Sequence, residues 1–204
     1  MTTIEDIERL GCENGEHRGP PAFPESYRIL QDPWELAQFI HFVRSHFDRP
    51  IEYLEIGLGH AGLFRAMCEQ VSIENAIAID DCRVPEFAAA RNRNLASLDD
   101  RAQAYSLCVS RTSAHVISRA LYLRQIDLAF IDGDHSYEGV RNDVLAVLAE
   151  MHTGTLIALH DSIYYGPDGG VAWMVREIEA GEIPGLKVVA KFERVYGIVV
   201  CEVT

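Results

Sequence analysis

What the chain lacks narrows its function before any motif is read. No C-x-x-C pair occurs: Cys12, Cys68, Cys82, Cys108 and Cys201 are odd in number and widely scattered. That pattern argues against a zinc or redox site and for reduced, mostly buried thiols. Long hydrophobic runs are also missing. The longest apolar stretches, such as Ile126–Ile131 with its Asp127, fall well short of the roughly 20 residues that cross a bilayer, so no membrane partner is expected. Basic residues are few, 18 Lys and Arg against 31 Asp and Glu, for a formal charge of -13. This balance repels phosphate backbones, and no dense Lys/Arg cluster makes a local exception, which disfavours a nucleic-acid substrate. The first ten residues are acidic with a single Arg, the reverse of a signal peptide, and the expected location is cytoplasmic.

What is present suffices for one core. A chain of 204 residues, 48% hydrophobic, is expected to form one domain. Between Gly11 and Pro24 lie three prolines and three glycines with no apolar period, which reads as a loop or arm. Order resumes at Asp32. An acceptor carboxylate there, then Pro33 and Glu35, mark a helix start, and Leu36, Phe39, Ile40 and Val43 recur at helical spacing. Residues 1–50 are therefore read as an arm and helix of the same domain as residues 51–204.

From Ile51 short apolar runs alternate with helical segments, the pattern of a parallel sheet with crossover helices. Strands are expected at Ile51–Ile56, Ala76–Ile79, Ala104–Val109, Ile126–Ile131 and Thr155–Leu159. Helices are expected at Leu63–Gln70, Pro85–Leu98, Ser113–Arg124, Tyr137–Met151 and Val171–Ala180. Lys187–Phe192 and Tyr196–Val203 are then separated by three residues only. So short a link cannot hold a crossover helix, so the last two strands form an antiparallel hairpin.

Two chemical signatures sit at strand ends. Glu55-Ile56-Gly57-Leu58-Gly59 places glycines in the turn after the first strand, where a ligand approaches the backbone. Asp80, 21 residues after Gly59, ends the second strand, where a carboxylate can accept the hydroxyls of a ribose; its neighbour Asp81 can serve instead. The second signature is Asp132-Gly133-Asp134-His135 after the fourth strand, with His160-Asp161-Ser162 after the fifth. In a doubly wound sheet these loops line the ligand crevice, so the two clusters should meet and form one polar site. His60, beside the turn, either lines it or faces water.

The E-x-G-x-G turn and the terminal hairpin resemble class I S-adenosylmethionine-dependent methyltransferases. The segment I-D-G-D-H-S-Y-E-G-V, the later L-H-D and the Gly-Val opening the next helix are similar to the macrolide (macrocin) and aminocoumarin sugar O-methyltransferases, over about two thirds of the chain. The resemblance implies an α/β, doubly wound Rossmann-like fold, with a seven-stranded, mostly parallel sheet closed by the C-terminal hairpin. It implies S-adenosylmethionine held by Glu55, Gly57, Gly59, Asp80, Asp81, Asp132 and Ser110, the last near the adenine. It also implies a divalent metal such as Mg2+ on Asp132 and Asp161, and Asp134 as base. His160 stands where a second carboxylate is usual, and a His-Asp-Asp set suits a transition metal better than Mg2+. His135 and His160 are further candidates to take a proton from an acceptor hydroxyl. The expected partner is a small hydroxylated acceptor, a sugar or secondary metabolite, with assembly into a homo-oligomer left open. Two alternatives share parts of this pattern: an NAD-dependent oxidoreductase, and a non-catalytic nucleoside-binding protein.

Overall fold

The computed structural model describes residues 29–98, 102–104, 114–121 and 125–204. Helix α1 (Pro33–His46) precedes an alternating series: β1 (Ile51–Ile56), α2 (Gly62–Gln70), β2 (Ile73–Ile79), α3 (Pro85–Ala96), β3 (Ala102–Ala104), α4 (Ala114–Leu121), β4 (Ile126–Ile131), α5 (Tyr137–Leu148), β5 (Met151–His160) and α6 (Gly170–Glu179). The hairpin β6 (Leu186–Phe192) and β7 (Ile198–Val203) ends the chain. The strands lie in the order β3-β2-β1-β4-β5-β7-β6. All pairs from β3 to β5 are parallel, and β7 runs antiparallel to both β5 and β6.

Alternation along the strands sends side chains to two separate cores. Tyr53, Leu128 and Phe130 pack with Leu36, Phe39 and Ile40 of α1 and with Phe64 and Met67 of α2 on one face. Leu54, Ile56, Ile131 and Leu159 pack with Val140 and Val144 of α5 and with Met174 and Ile178 of α6 on the other. Helix α1 thus shares the core of the sheet. Asp32 caps it, its Oδ1 accepting from the amides of Trp34 (3.1 Å) and Glu35 (3.2 Å), with Pro33 in the first turn.

Element edges differ from expectation where tertiary pairing overrides local preference. Strand β2 begins at Ile73, because Ile73 and Asn75 are drawn into register with Ile51 and Glu52. Strand β5 begins at Met151, which pairs with Ile126 before a bulge restores register at Leu156, and this early start shortens the preceding helix. The third strand is described only at Ala102–Ala104, so most of the expected Ala104–Val109 run lies outside the described residues. No helix among the described residues is long and apolar enough to cross a membrane.

Candidate active site

The order β2-β1-β4-β5 brings the carboxyl ends of four strands side by side. Gly57 follows β1 with φ +87°, and a Cβ there would collide with the Asp132 backbone carbonyl. Gly57 therefore serves the approach of one loop to another. Its amide donates to Ile79 O (2.9 Å), and the Asp132 amide donates to Ile56 O (2.7 Å). Gly59 differs: it has φ +48°, and a Cβ would meet nothing within 4 Å, so it borders open space of the kind a ligand fills. Ala61, two residues after Gly59, is buried in the left-handed region at φ 60°, a conformation that costs about 1–2 kcal/mol for a residue with a Cβ. Gly170, at the start of α6, has the same role as Gly57, since a Cβ there would strike the backbone of residues 135–137.

Asp80 lines the first cavity with its carboxylate already engaged by the protein. Its Oδ2 accepts from the turn amides of Leu58 (2.8 Å) and Gly59 (3.2 Å), and its Oδ1 from the Cys82 amide (2.7 Å) and Arg91 Nη1 (3.1 Å). A carboxylate offers about four lone-pair positions, so these bonds use its capacity. Asp81 beside it pairs with Arg83 at 3.2 Å. Glu55 is buried and accepts from Tyr53 Oη at 2.6 Å. Burial pushes its pKa well above the usual carboxylate range, against the hydrogen bond from Tyr53.

Two cavities meet at the glycine turn. One of about 520 Å³ is lined by Ile79, Asp80, Asp81, Arg83, Phe87 and Asp134, among others. Its neighbour, of about 450 Å³, is lined by Gln31, Glu55, His135, His160, Asp161 and Tyr196, among others. Gly57, Gly59, Phe87, Asp132 and Gly133 border both.

Asp132 is the hub of the second cavity. Its Oδ1 lies 3.2 Å from His135 Nε2 and 3.0 Å from His160 Nδ1, and its Oδ2 accepts from Gln31 Nε2 at 3.1 Å. Asp161 sits 3.2 Å from His135 Nδ1 and 3.3 Å from His160 Nδ1, on a backbone at φ 63°. Burial alone would raise the Asp132 pKa, but His160 and His135 hold it down at about 2. His135 is raised, first by its hydrogen bond to Asp132. Burial opposes a charge on His160, yet Asp132 and Asp161 outweigh it and raise its pKa. Asp161 is raised by burial. Each imidazole thus lies within ion-pair distance of both carboxylates. Asp132, His135 and Asp161 also present ligand atoms within 4.8 Å of one another.

The structure brings four of the five expected polar residues together and leaves Asp134 aside. Asp134 lines the first cavity, where its Oδ1 accepts from the Ser136 amide at 2.9 Å. That turn carries the chain into α5, and Ser136 caps the helix by accepting from the Gly139 amide at 3.1 Å. Ser110 lies outside the described residues. His60 is buried against Phe87, ring centroids 4.2 Å apart. Sequence reasoning missed Gln31, Phe87, Tyr165 and Tyr196. Only Tyr165, two residues from Pro167 in the loop after the fifth strand, carries any local signal.

Residues 54–162, just over half of the chain, match the family model described as a methyltransferase domain. The chain belongs to the methyltransferase-domain family. The enzyme's fold is similar to that of an O-methyltransferase from Streptomyces achromogenes involved in tomaymycin synthesis, solved with S-adenosylmethionine (15% identity, TM-score 0.63, 86% of this chain and 82% of that one). It is also similar to the Podospora anserina methyltransferase PaMTH1 solved with S-adenosylhomocysteine (16%, 0.62, 90% and 83%). A precorrin-6y C5,15-methyltransferase from Geobacter metallireducens shares the fold as well (15%, 0.59, 86% and 89%). Comparison with curated proteins gives no match. A class I methyltransferase using S-adenosylmethionine accounts for the family, the sheet order and the open turn at Gly59, and an oxidoreductase does not.

Proposed function

We propose that this methyltransferase methylates a hydroxyl oxygen of a small acceptor, and that His135, oriented by Asp132, takes the hydroxyl proton. One observation carries the reading: with His135 Nε2 on Asp132, the opposite ring nitrogen, Nδ1, lies 3.0 Å from the Tyr165 hydroxyl. An acceptor hydroxyl needs a partner of that kind at hydrogen-bond distance. The first cavity, with Asp80, Asp81 and the turn at Gly59, takes the nucleoside end of the cofactor, and Glu55 and Asp132 border the reacting end. S-adenosylmethionine supplies an electrophilic methyl group, which leaves the protein to align the acceptor and exclude water. His160, packed between Phe130 and Tyr196, holds Asp132 in place. Acidic surroundings and the charge of -13 favour an acceptor without phosphates, consistent with a cytoplasmic enzyme of small-molecule metabolism.

A second reading rests on the three ligand atoms of Asp132, His135 and Asp161. Two carboxylates and one imidazole fit a divalent ion, and a bound ion would lower the pKa of an acceptor hydroxyl. The two readings separate in one experiment, methyl transfer to a panel of sugars and phenols with and without exhaustive chelation. Turnover that survives chelation supports His135 as base, and loss restored by a transition metal supports the ion. Products methylated at nitrogen or carbon would overturn the O-methyltransferase assignment.

A further inference from the structure

The loop after β5 and the turn between β6 and β7 are joined into one wall of the second cavity. The amides of Ser162 and Ile163 donate to the carbonyls of Gly197 (3.3 Å) and Tyr196 (3.0 Å), and Ser162 Oγ donates to Glu193 Oε1 at 3.0 Å. A Cβ on Gly197 would strike Ser162 Oγ, so the turn seats directly on the loop. This joint gathers aromatic rings. The Tyr164 ring centroid lies 5.1 Å from that of Tyr196 and 5.0 Å from that of Tyr165, and Tyr165 lies 5.3 Å from His135. Tyr164 and Tyr196 line the cavity with Leu30 and Leu63, yet Tyr164 is 56% exposed and Tyr165 53%. Rings left half in solvent beside a cavity offer faces that a flat apolar ligand can cover.

Polar groups around the same cavity are bonded to one another. Gln31 donates to Asp132, and both histidines lie 3.0–3.3 Å from Asp132 and Asp161. A sugar would bring a hydroxyl on almost every carbon, each needing a partner that these bonds already hold, and a polar group buried without one costs affinity. A phenol brings a single hydroxyl on an apolar ring. The group already at His135 Nδ1 is itself a phenol, the Tyr165 hydroxyl at 3.0 Å. A phenol ionises with a pKa of about 10, far below an aliphatic alcohol, and no Lys or Arg among the described residues lines this cavity to help ionise an alcohol.

We propose that the acceptor is a phenol, whose ring lies against Tyr164 and Tyr196 and whose hydroxyl takes the place that the Tyr165 hydroxyl holds at His135. The proposal rests on the second cavity being the acceptor subsite. Tyr165 is then a competitor within the chain, displaced as the acceptor enters, and Tyr164 is a specificity residue that tells an aromatic ring from a saturated one. The phenol oxygen forms its bond to the methyl carbon as the carbon–sulfur bond of S-adenosylmethionine breaks, the phenol proton passes to His135, and S-adenosylhomocysteine leaves.

The test compares phenol with cyclohexanol, a ring of the same size and hydroxyl count, on the full chain and on Tyr164→Ala, Tyr164→Phe and Tyr165→Phe. Binding is read by calorimetry on protein saturated with S-adenosylhomocysteine, and turnover by methyl ether formed from S-adenosylmethionine. The parent protein should bind phenol more tightly than cyclohexanol by at least about threefold, the scale of one aromatic pair, and should methylate phenol in preference. Tyr164→Ala should bring the two ligands to near parity, Tyr164→Phe should restore the preference, and Tyr165→Phe should bind phenol more tightly than the parent does. Equal binding of the two rings by the parent, a preference that survives Tyr164→Ala, or a Tyr165→Phe variant no tighter for phenol overturns the proposal. Absence of any methyl ether would instead count against the O-methyltransferase reading, while the binding ratio still decides the selectivity of the wall.

Discussion

At the residue scale, reactivity is set by which groups share a proton. His135 is half-covered, and its hydrogen bond to Asp132 raises its pKa, with burial opposing and Asp132 and Asp161 adding to the rise. A base works only when deprotonated, so methyl transfer should rise with pH and level off above the folded pKa of His135. That pKa lies higher than the ordinary histidine value of about 6.5. In His135→Ala, kcat should fall by about 10²–10⁴-fold and the acid limb should vanish, with S-adenosylhomocysteine affinity retained. Rate profiles and calorimetry check both. An intact acid limb in the variant would assign the proton to another group. The two glycines of the motif show why residue type alone misled. Both were expected to make room for a ligand, yet one packs on the Asp132 carbonyl and only the other borders open space.

Among the elements, β4 carries one residue that its apolar pattern leaves unexplained. Asp127 is 3% exposed in a strand otherwise made of Ile, Leu, Ala and Phe. Arg49 holds it with two bonds, at 2.9 and 2.7 Å, and the Glu52 amide adds a third at 2.9 Å. Burial would raise the Asp127 pKa, but Arg49 and Glu52 more than offset this and lower it. The contribution to stability is therefore complete above the unfolded carboxylate pKa of about 4 and is lost as pH falls through the depressed folded value. Urea unfolding of Asp127→Asn should show a loss of about 1.5–3 kcal/mol at neutral pH, and the gap should close in acid. A gap that is constant with pH would mean the residue acts through packing alone.

For the whole molecule, Glu35 ties helix α1 to the turn of the terminal hairpin. Fully buried, it accepts at Oε1 from the amides of Arg194 (2.5 Å), Val195 (2.6 Å), Tyr196 (3.2 Å) and Gly197 (3.1 Å), the turn between β6 and β7. Arg194 reaches back to Asp32 at 2.8 Å. The latch seats Tyr196 in the second cavity beside Gln31. Each buried N–H left without an acceptor costs about 1–3 kcal/mol, so Glu35→Ala should lower the urea midpoint by the equivalent of several kcal/mol. Glu35→Gln should recover part of this, and an unchanged midpoint in the alanine variant would show that the turn holds itself. From the sequence this glutamate was legible only as an acid in the first turn of a helix. The amino-acid order by itself determined the alternation of strands and helices, the capped start of α1, the terminal hairpin and the places where polar residues leave the sheet. These follow from apolar period, turn chemistry and link length, which are local. Only the tertiary structure decided that Asp80 accepts from the glycine-turn amides, that Asp134 departs from the His135 cluster, that Gln31 joins the site and that Glu35 holds the turn that carries Tyr196. Such choices depend on the direction of side chains at strand ends and on contacts spanning up to 162 residues, which spacing along a chain does not encode.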